Sequence, residues 1–234
     1  MKKVTTVIFD LDGTLLDTLE DLTDAVNYAL ARCVCPLRSI DEVRRFVGNG
    51  IRRLIERAVP ADASVELTDR VYACFKEYYD IHCMDKTRAY PGVAELIRNL
   101  RQKGCRMAIV SNKADHAVKE LNQHFFAPEI QVAIGSTETG KKKPEPDLVW
   151  QALEALGSSK EEAVYIGDSD VDLATAVNAE LPCIAVLWGF RDRTFLEQAW
   201  ERIQADRRKE CGTELLFAER TEDVMNLLEK RYLI

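Results

Sequence analysis

Val4-Thr5-Thr6-Val7-Ile8-Phe9-Asp10-Leu11-Asp12-Gly13-Thr14 is the stretch that decides how the chain is read. Residues 4–9 form a short β-branched and aromatic run with the composition of a buried strand. Two carboxylates, two residues apart, follow at its carboxyl end. Gly13 allows a tight turn there, so both acids can face one crevice. In open parallel sheets, the carboxyl ends of the strands are where ligands bind.

Runs of the same kind recur at residues 106–110, 131–134, 163–166 and 183–187. From Pro91 onward they alternate with helical patterns of ten or more residues. Strands separated by helices need right-handed crossovers and a parallel sheet covered on both faces. The expected fold class is therefore α/β, with a Rossmann-like parallel sheet core. Residues 19–88 break this rhythm. Four apolar stripes follow one another there at helical spacing: Leu22, Val26, Ala29 and Leu30; Val43, Phe46 and Val47; Ile51, Leu54, Ile55 and Ala58; Val71, Phe75, Tyr78 and Tyr79. The division this implies is an α/β core made of residues 1–17 and 88–234, interrupted by an all-helical cap at 18–87.

Composition narrows the function. At 47% hydrophobic and 30% charged residues, the 234-residue chain is neither disordered nor fibrous. A net charge of −7 disfavours nucleic acid as a partner. No run approaches the roughly 20 apolar residues of a membrane span, so no membrane partner is expected. Asp10 and Asp12 interrupt the apolar run a signal peptide would need. Seven scattered cysteines read as free thiols, and the expected location is the cytoplasm.

Three further segments carry chemistry. Ser111-Asn112 follows the second strand and offers a hydroxyl and amides to an anion. Lys141-Lys142-Lys143-Pro144-Glu145-Pro146 is a charge run stiffened by two prolines just before a helix at Asp147–Leu156, so Lys143 can be held in place as a point charge for phosphate. Gly167-Asp168-Ser169-Asp170-Val171-Asp172 follows the 163–166 strand and opens a helix. Asp170 there suits the helix amino terminus, whereas Asp168 occupies the same kind of position as Asp10. Carboxylates converging on one crevice call for a divalent cation, and all-oxygen donors favour Mg²⁺ over zinc.

As a set, Asp10-x-Asp12-Gly13-Thr14, Ser111, Lys143 and Gly167-Asp168-x-x-x-Asp172 resemble the motifs of the haloacid dehalogenase superfamily. Phe46-Val47-Gly48-Asn49-Gly50 is similar to a stretch in the caps of its phosphoglycolate phosphatase branch, as is the segment from Asp168 to Trp188-Gly189-Phe190. The resemblance implies a phosphatase that hydrolyses a small phosphorylated metabolite, most of all 2-phosphoglycolate. Asp10 would be the nucleophile, Asp12 the general acid and base, and Lys143 the third catalytic group. Mg²⁺ would be held by the Asp10 side chain, the Asp12 carbonyl and Asp168, with Asp172 orienting the shell. Thr14, Ser111 and Asn112 would bind phosphate, and the cap would close over the crevice. Gly50 and Arg53, beside Arg44, Arg45 and Arg52, are its candidates for reading a carboxylate on the leaving group. The chain would act as a monomer or homodimer.

Two rivals of the same superfamily, a phosphosugar mutase and a pyrophosphatase, need the same core residues. A non-catalytic scaffold would be expected to lose Asp10, Asp12 or Asp168. His82, His116 and His124 match no triad or metal spacing, and the three tryptophans read as packing residues. Two departures from the family stand out. Glu180 lies where relatives often have a helix-ending glycine, and the connection at residues 198–211 is long.

Overall fold

In the computed structural model, residues 2–137, 139–206 and 213–234 are described. Strands β1 (Thr6–Phe9), β2 (Arg106–Ala114), β3 (Val132–Ser136), β4 (Ala163–Gly167), β5 (Cys183–Val186) and β6 (Leu215–Ala218) form one sheet in the order β3-β2-β1-β4-β5-β6. Every neighbouring pair is parallel, and Phe9 lies opposite Ile109 of β2 and Ile166 of β4. The strand order reverses at β1, which opens a crevice at the carboxyl ends of β1 and β4. Asp10 and Asp168 leave the sheet at that point.

Successive strand residues face opposite sides of a sheet. Here both sides are dry: Ile8, Ala108 and Tyr165 join one core cluster, while Val7, Phe9, Met107 and Ile109 are equally buried. Two features depart from the expected strands. β2 continues past Val110 to Ala114, with a register shift against β3 between those residues, so 111–113 form a bulge rather than a loop. β6 went unforeseen, as did the parallel pairing of Lys2–Lys3 with Tyr232–Leu233.

The chain divides into two compact units, one of Met1–Leu15 with Ala89–Ile234 and one of Leu16–Arg88. The second holds helices α1 (Leu19–Arg32), α2 (Ile40–Phe46), α3 (Ile51–Ala58) and α4 (Val65–His82). α1 buries Leu22, Ala25, Val26, Ala29 and Leu30, and it packs on α4, which buries Val71, Phe75 and Tyr79. The α2 stripe is narrower than its sequence implies, since only Val43 is buried. A capping box of Ser39 and Glu42 starts α2, and Ser64 caps α4. Asp21, 3% exposed, accepts the amides of Lys86 and Thr87 and so ties α1 to the returning chain.

The α/β unit carries α5 (Val93–Gln102), α6 (Asp115–Phe125), α7 (Asp147–Leu156), α8 (Asp170–Asn178), α9 (Arg193–Asp206) and α10 (Thr221–Arg231). α7 has the bounds its sequence implies, and α9 takes up residues 198–206 of the long connection, whose remainder at 207–211 lies outside the described residues. No helix among the described residues is long and apolar enough to cross a membrane.

Two helices end in Schellman turns without glycine. Glu180 (φ 59°) follows α8, with the Glu180 and Leu181 amides donating to the carbonyls of Val177 and Ala176. Val34 (φ 57°) does the same after α1, where the Val34 and Cys35 amides reach Ala31 and Leu30. A left-handed residue with a Cβ costs about 1–2 kcal/mol, and glycine returns about 0.5–1 kcal/mol of that as lost entropy. Val34 is 94% exposed, so no packing is lost when it is trimmed. Val34→Gly is expected to stabilise the protein by about 0.5–1 kcal/mol in urea unfolding; an unchanged or lower midpoint would refute the strain.

Candidate active site

Lys143 is the hinge of the site. Its ammonium, 3% exposed, donates to Asp10 Oδ1 at 2.7 Å, to Asp172 Oδ1 at 2.8 Å and to the Tyr165 hydroxyl at 3.0 Å. Asp10 comes from the end of β1, Tyr165 from β4 and Asp172 from the first turn of α8. Asp172 serves two structures at once. Its Oδ2 accepts the Ser169 amide and hydroxyl in a capping box, while Oδ1 accepts Lys143 and the Tyr165 hydroxyl at 2.9 Å. With both oxygens engaged, Asp172 holds the lysine in place.

Asp168, 1% exposed, leaves β4 beside Asp10. Its Oδ2 accepts the Phe190 amide at 2.7 Å, and its Oδ1 accepts the Thr14 hydroxyl at 3.3 Å. Thr14 was expected to grip phosphate, but its hydroxyl turns to Asp168, and its carbonyl takes the Trp188 indole N–H at 3.0 Å. Trp188 therefore does more than pack. Gly13 (φ 89°) and Gly189 make this possible: a Cβ on Gly13 would overlap the Asp168 carboxylate, and one on Gly189 would overlap both the Gly13 carbonyl and Asp168.

The bulge in β2 supplies the other wall. Ser111 is 2% exposed, and its hydroxyl accepts the Lys113 amide at 3.2 Å. Asn112 was expected at the phosphate, yet its side chain clasps the Lys143 backbone, donating to the carbonyl at 3.0 Å and accepting from the amide at 2.8 Å. That clasp fixes Lys143 where prolines alone would only stiffen it. Lys113 places its ammonium 3.1 Å from Asp12 Oδ1, with the two side chains 4% and 15% exposed.

The charges do not balance. Oxygens of Asp10, Asp168 and Asp172 lie within 4.8 Å of one another, against the single ammonium of Lys143. Burial, then Asp172, raises the Asp10 carboxyl well above its ordinary range even though Lys143 opposes this. The same two causes push Asp168 up to about 7, against the Phe190 amide and Arg191. Burial works against the Lys143 ammonium, but Asp10 and Asp172 outweigh it and hold its pKa above the usual value. Strong perturbation of grouped residues marks functional sites. Buried oxygen donors in excess of positive charge fit a compact, hard divalent cation.

A stability test follows from Asp168. Between its ordinary 3.8 and about 7, the folded chain keeps a proton that the unfolded chain has lost. Its contribution to stability is therefore complete at the lower pH and is lost as pH rises through about 7. A cation held by the cluster would take the place of that proton. The rise in melting temperature produced by Mg²⁺ over chelator-treated protein is expected to grow up to about pH 7 and then level off; a gain independent of pH would contradict this.

Comparison with known proteins gives the family. The family model for haloacid dehalogenase-like hydrolases matches residues 7–186. The chain belongs to the haloacid dehalogenase-like hydrolases. It is 36% identical over 193 residues to the phosphoglycolate phosphatase of Mesorhizobium japonicum, covering 80% of this chain and 84% of that one. Phosphoglycolate phosphatase 1 of Pseudomonas aeruginosa is 34% identical, covering 82% of this chain and 73% of the relative. A crystal structure from Lactobacillus delbrueckii subsp. bulgaricus, 32% identical, has a TM-score of 0.85 and covers 97% of this chain and 98% of its own.

In this hydrolase, Gly50 and Arg53 belong to the helical unit. Gly50 (φ 82°) precedes α3, and Arg53, mostly exposed, pairs with Glu56 at 2.7 Å. Arg52 engages Glu56 and Asp69 and lies over the Tyr72 ring. Arg57 went unnoticed in the sequence; it donates to the Phe46 carbonyl at 2.7 Å and to Asn49 Oδ1 at 2.8 Å, bracing the Gly48-Asn49-Gly50 turn. Lys113 and Tyr165 were also missed. A continuous apolar strand makes Tyr165 a core residue, and only the tertiary pairing reveals the task of its hydroxyl.

Proposed function

We propose that this hydrolase is a Mg²⁺-dependent phosphatase that cleaves 2-phosphoglycolate through a phosphorylated Asp10. The observation that carries this reading is the buried Lys143 ammonium, 2.7 Å from Asp10 and tied from behind by Asp172 and Asn112. The names of the two bacterial relatives support the choice of substrate.

Mg²⁺ would be held by Asp10, Asp168 and the Asp12 carbonyl, and it would supply the positive charge that lets an anionic carboxylate approach an anionic phosphate. The chain does the rest. Asp10 attacks phosphorus in line while the ester P–O bond opens, and Asp12 gives its proton to the leaving oxygen. In the second half, Asp12 takes a proton from water as that water attacks the phosphoryl group. Phosphate leaves and the Asp10 carboxylate is restored. Lys143 and the Ser111 hydroxyl donate to the non-bridging oxygens, where charge gathers in the transition state. Thr14 acts at one remove by steadying Asp168.

The test is phosphate release from 2-phosphoglycolate, pyrophosphate and a sugar 1-phosphate, with Mg²⁺ and with chelator. Rapid, Mg²⁺-dependent release from 2-phosphoglycolate is expected. Isomerisation of the sugar phosphate without release would instead identify a mutase.

A further inference from the structure

We propose that Lys113 is a positioning residue that aims Asp12 for both of its proton transfers. This rests on the phosphatase reading above and extends it to a residue outside the motifs that define the family resemblance. A lysine buried to 4% exposure within a strand is unfavourable unless paired, and Asp12 Oδ1 stands 3.1 Å from its ammonium. The backbone around it is pinned on both sides. Its amide donates to the Ser111 hydroxyl at 3.2 Å, and its carbonyl accepts the Ser136 hydroxyl at 3.3 Å. The site thus holds two buried lysines, Lys143 serving Asp10 and Lys113 serving Asp12.

An ammonium N–H can donate to Oδ1 whether or not the other oxygen of Asp12 carries a proton. Lys113 can therefore hold one orientation of the carboxyl group while Oδ2 gives its proton to the leaving alcohol and later takes one from water. Each transfer depends on geometry, and a misaimed acid loses most of its effect. Loss of Lys113 should then matter in proportion to how much a substrate needs that proton.

The experiment compares kcat/KM for 2-phosphoglycolate, whose alkoxide must be protonated, with that for p-nitrophenyl phosphate, whose leaving group departs as an anion. Lys113→Met is expected to lower the first about 100-fold and the second less than about 3-fold. Lys113→Gln, which keeps an N–H donor and most of the packing, is expected to show the same selectivity in smaller measure. In an Asp12→Asn background, Lys113→Met is expected to add no further loss. Equal losses on the two esters, or a loss that multiplies with Asp12→Asn, would overturn the positioning role. Wild-type protein that releases phosphate from neither ester would overturn the phosphatase reading itself, and this inference with it.

Discussion

Lys143→Met is expected to lower phosphate release about 1,000-fold, with a stability loss of about 3–5 kcal/mol. Both effects come from one change. The substitution leaves Asp10 and Asp172 buried without the ammonium that both share at 2.7 and 2.8 Å. Burial and Asp172 already raise the Asp10 carboxyl, with Lys143 opposing them, so without the lysine Asp10 takes up a proton more readily. A protonated Asp10 is no longer a nucleophile. The stability loss should grow with pH, because ionising Asp10 becomes harder still. Turnover assays and urea unfolding at several pH values measure both, and a variant with normal turnover would remove Lys143 from the reaction.

Asp10→Asn is expected to abolish turnover, by about five orders of magnitude or more, while making the metal-free protein more stable. The amide oxygen still accepts from Lys143, which also keeps Asp172. What disappears is one of three mutually repelling buried carboxylates. The same change should weaken the stabilisation by Mg²⁺, since a charged ligand is gone. Thermal melts with and without Mg²⁺ check this, and a less stable metal-free variant would show that Asp10 is not the strained member of the cluster.

Much of the site was legible because its residues sit where strand patterns end. Asp10 and Asp168 each follow an apolar run, and parallel pairing of those runs brings them together without further information. Lys143 was legible through its prolines and the helix that follows. The remainder depends on register. Ser111-Asn112 read as the end of a strand facing an anion, because nothing local signals that β2 resumes at Ala114 against Ser136 of β3. Lys113 consequently drew no reading. Thr14 was assigned to phosphate by the family resemblance and Asn112 by its amide, but short polar side chains bond whatever lies nearest, here Asp168 and the Lys143 backbone. β6 was missed because its four residues, Leu-Leu-Phe-Ala, include no β-branched side chain, the signal by which the other strands were read.

Chemical capture of the intermediate tests the central claim most directly. Asp12→Asn protein, mixed with p-nitrophenyl phosphate and Mg²⁺ and quenched in acid, is digested and its peptides are weighed. Asp12 is needed to activate the hydrolytic water, whereas this ester needs no acid to leave, so the phosphoenzyme should accumulate. The expected result is one added phosphoryl group on the peptide containing Asp10, absent from Asp10→Asn. Turnover of this ester by wild-type protein with no phosphorylated Asp10 in either form, or with the label on another residue, would contradict it.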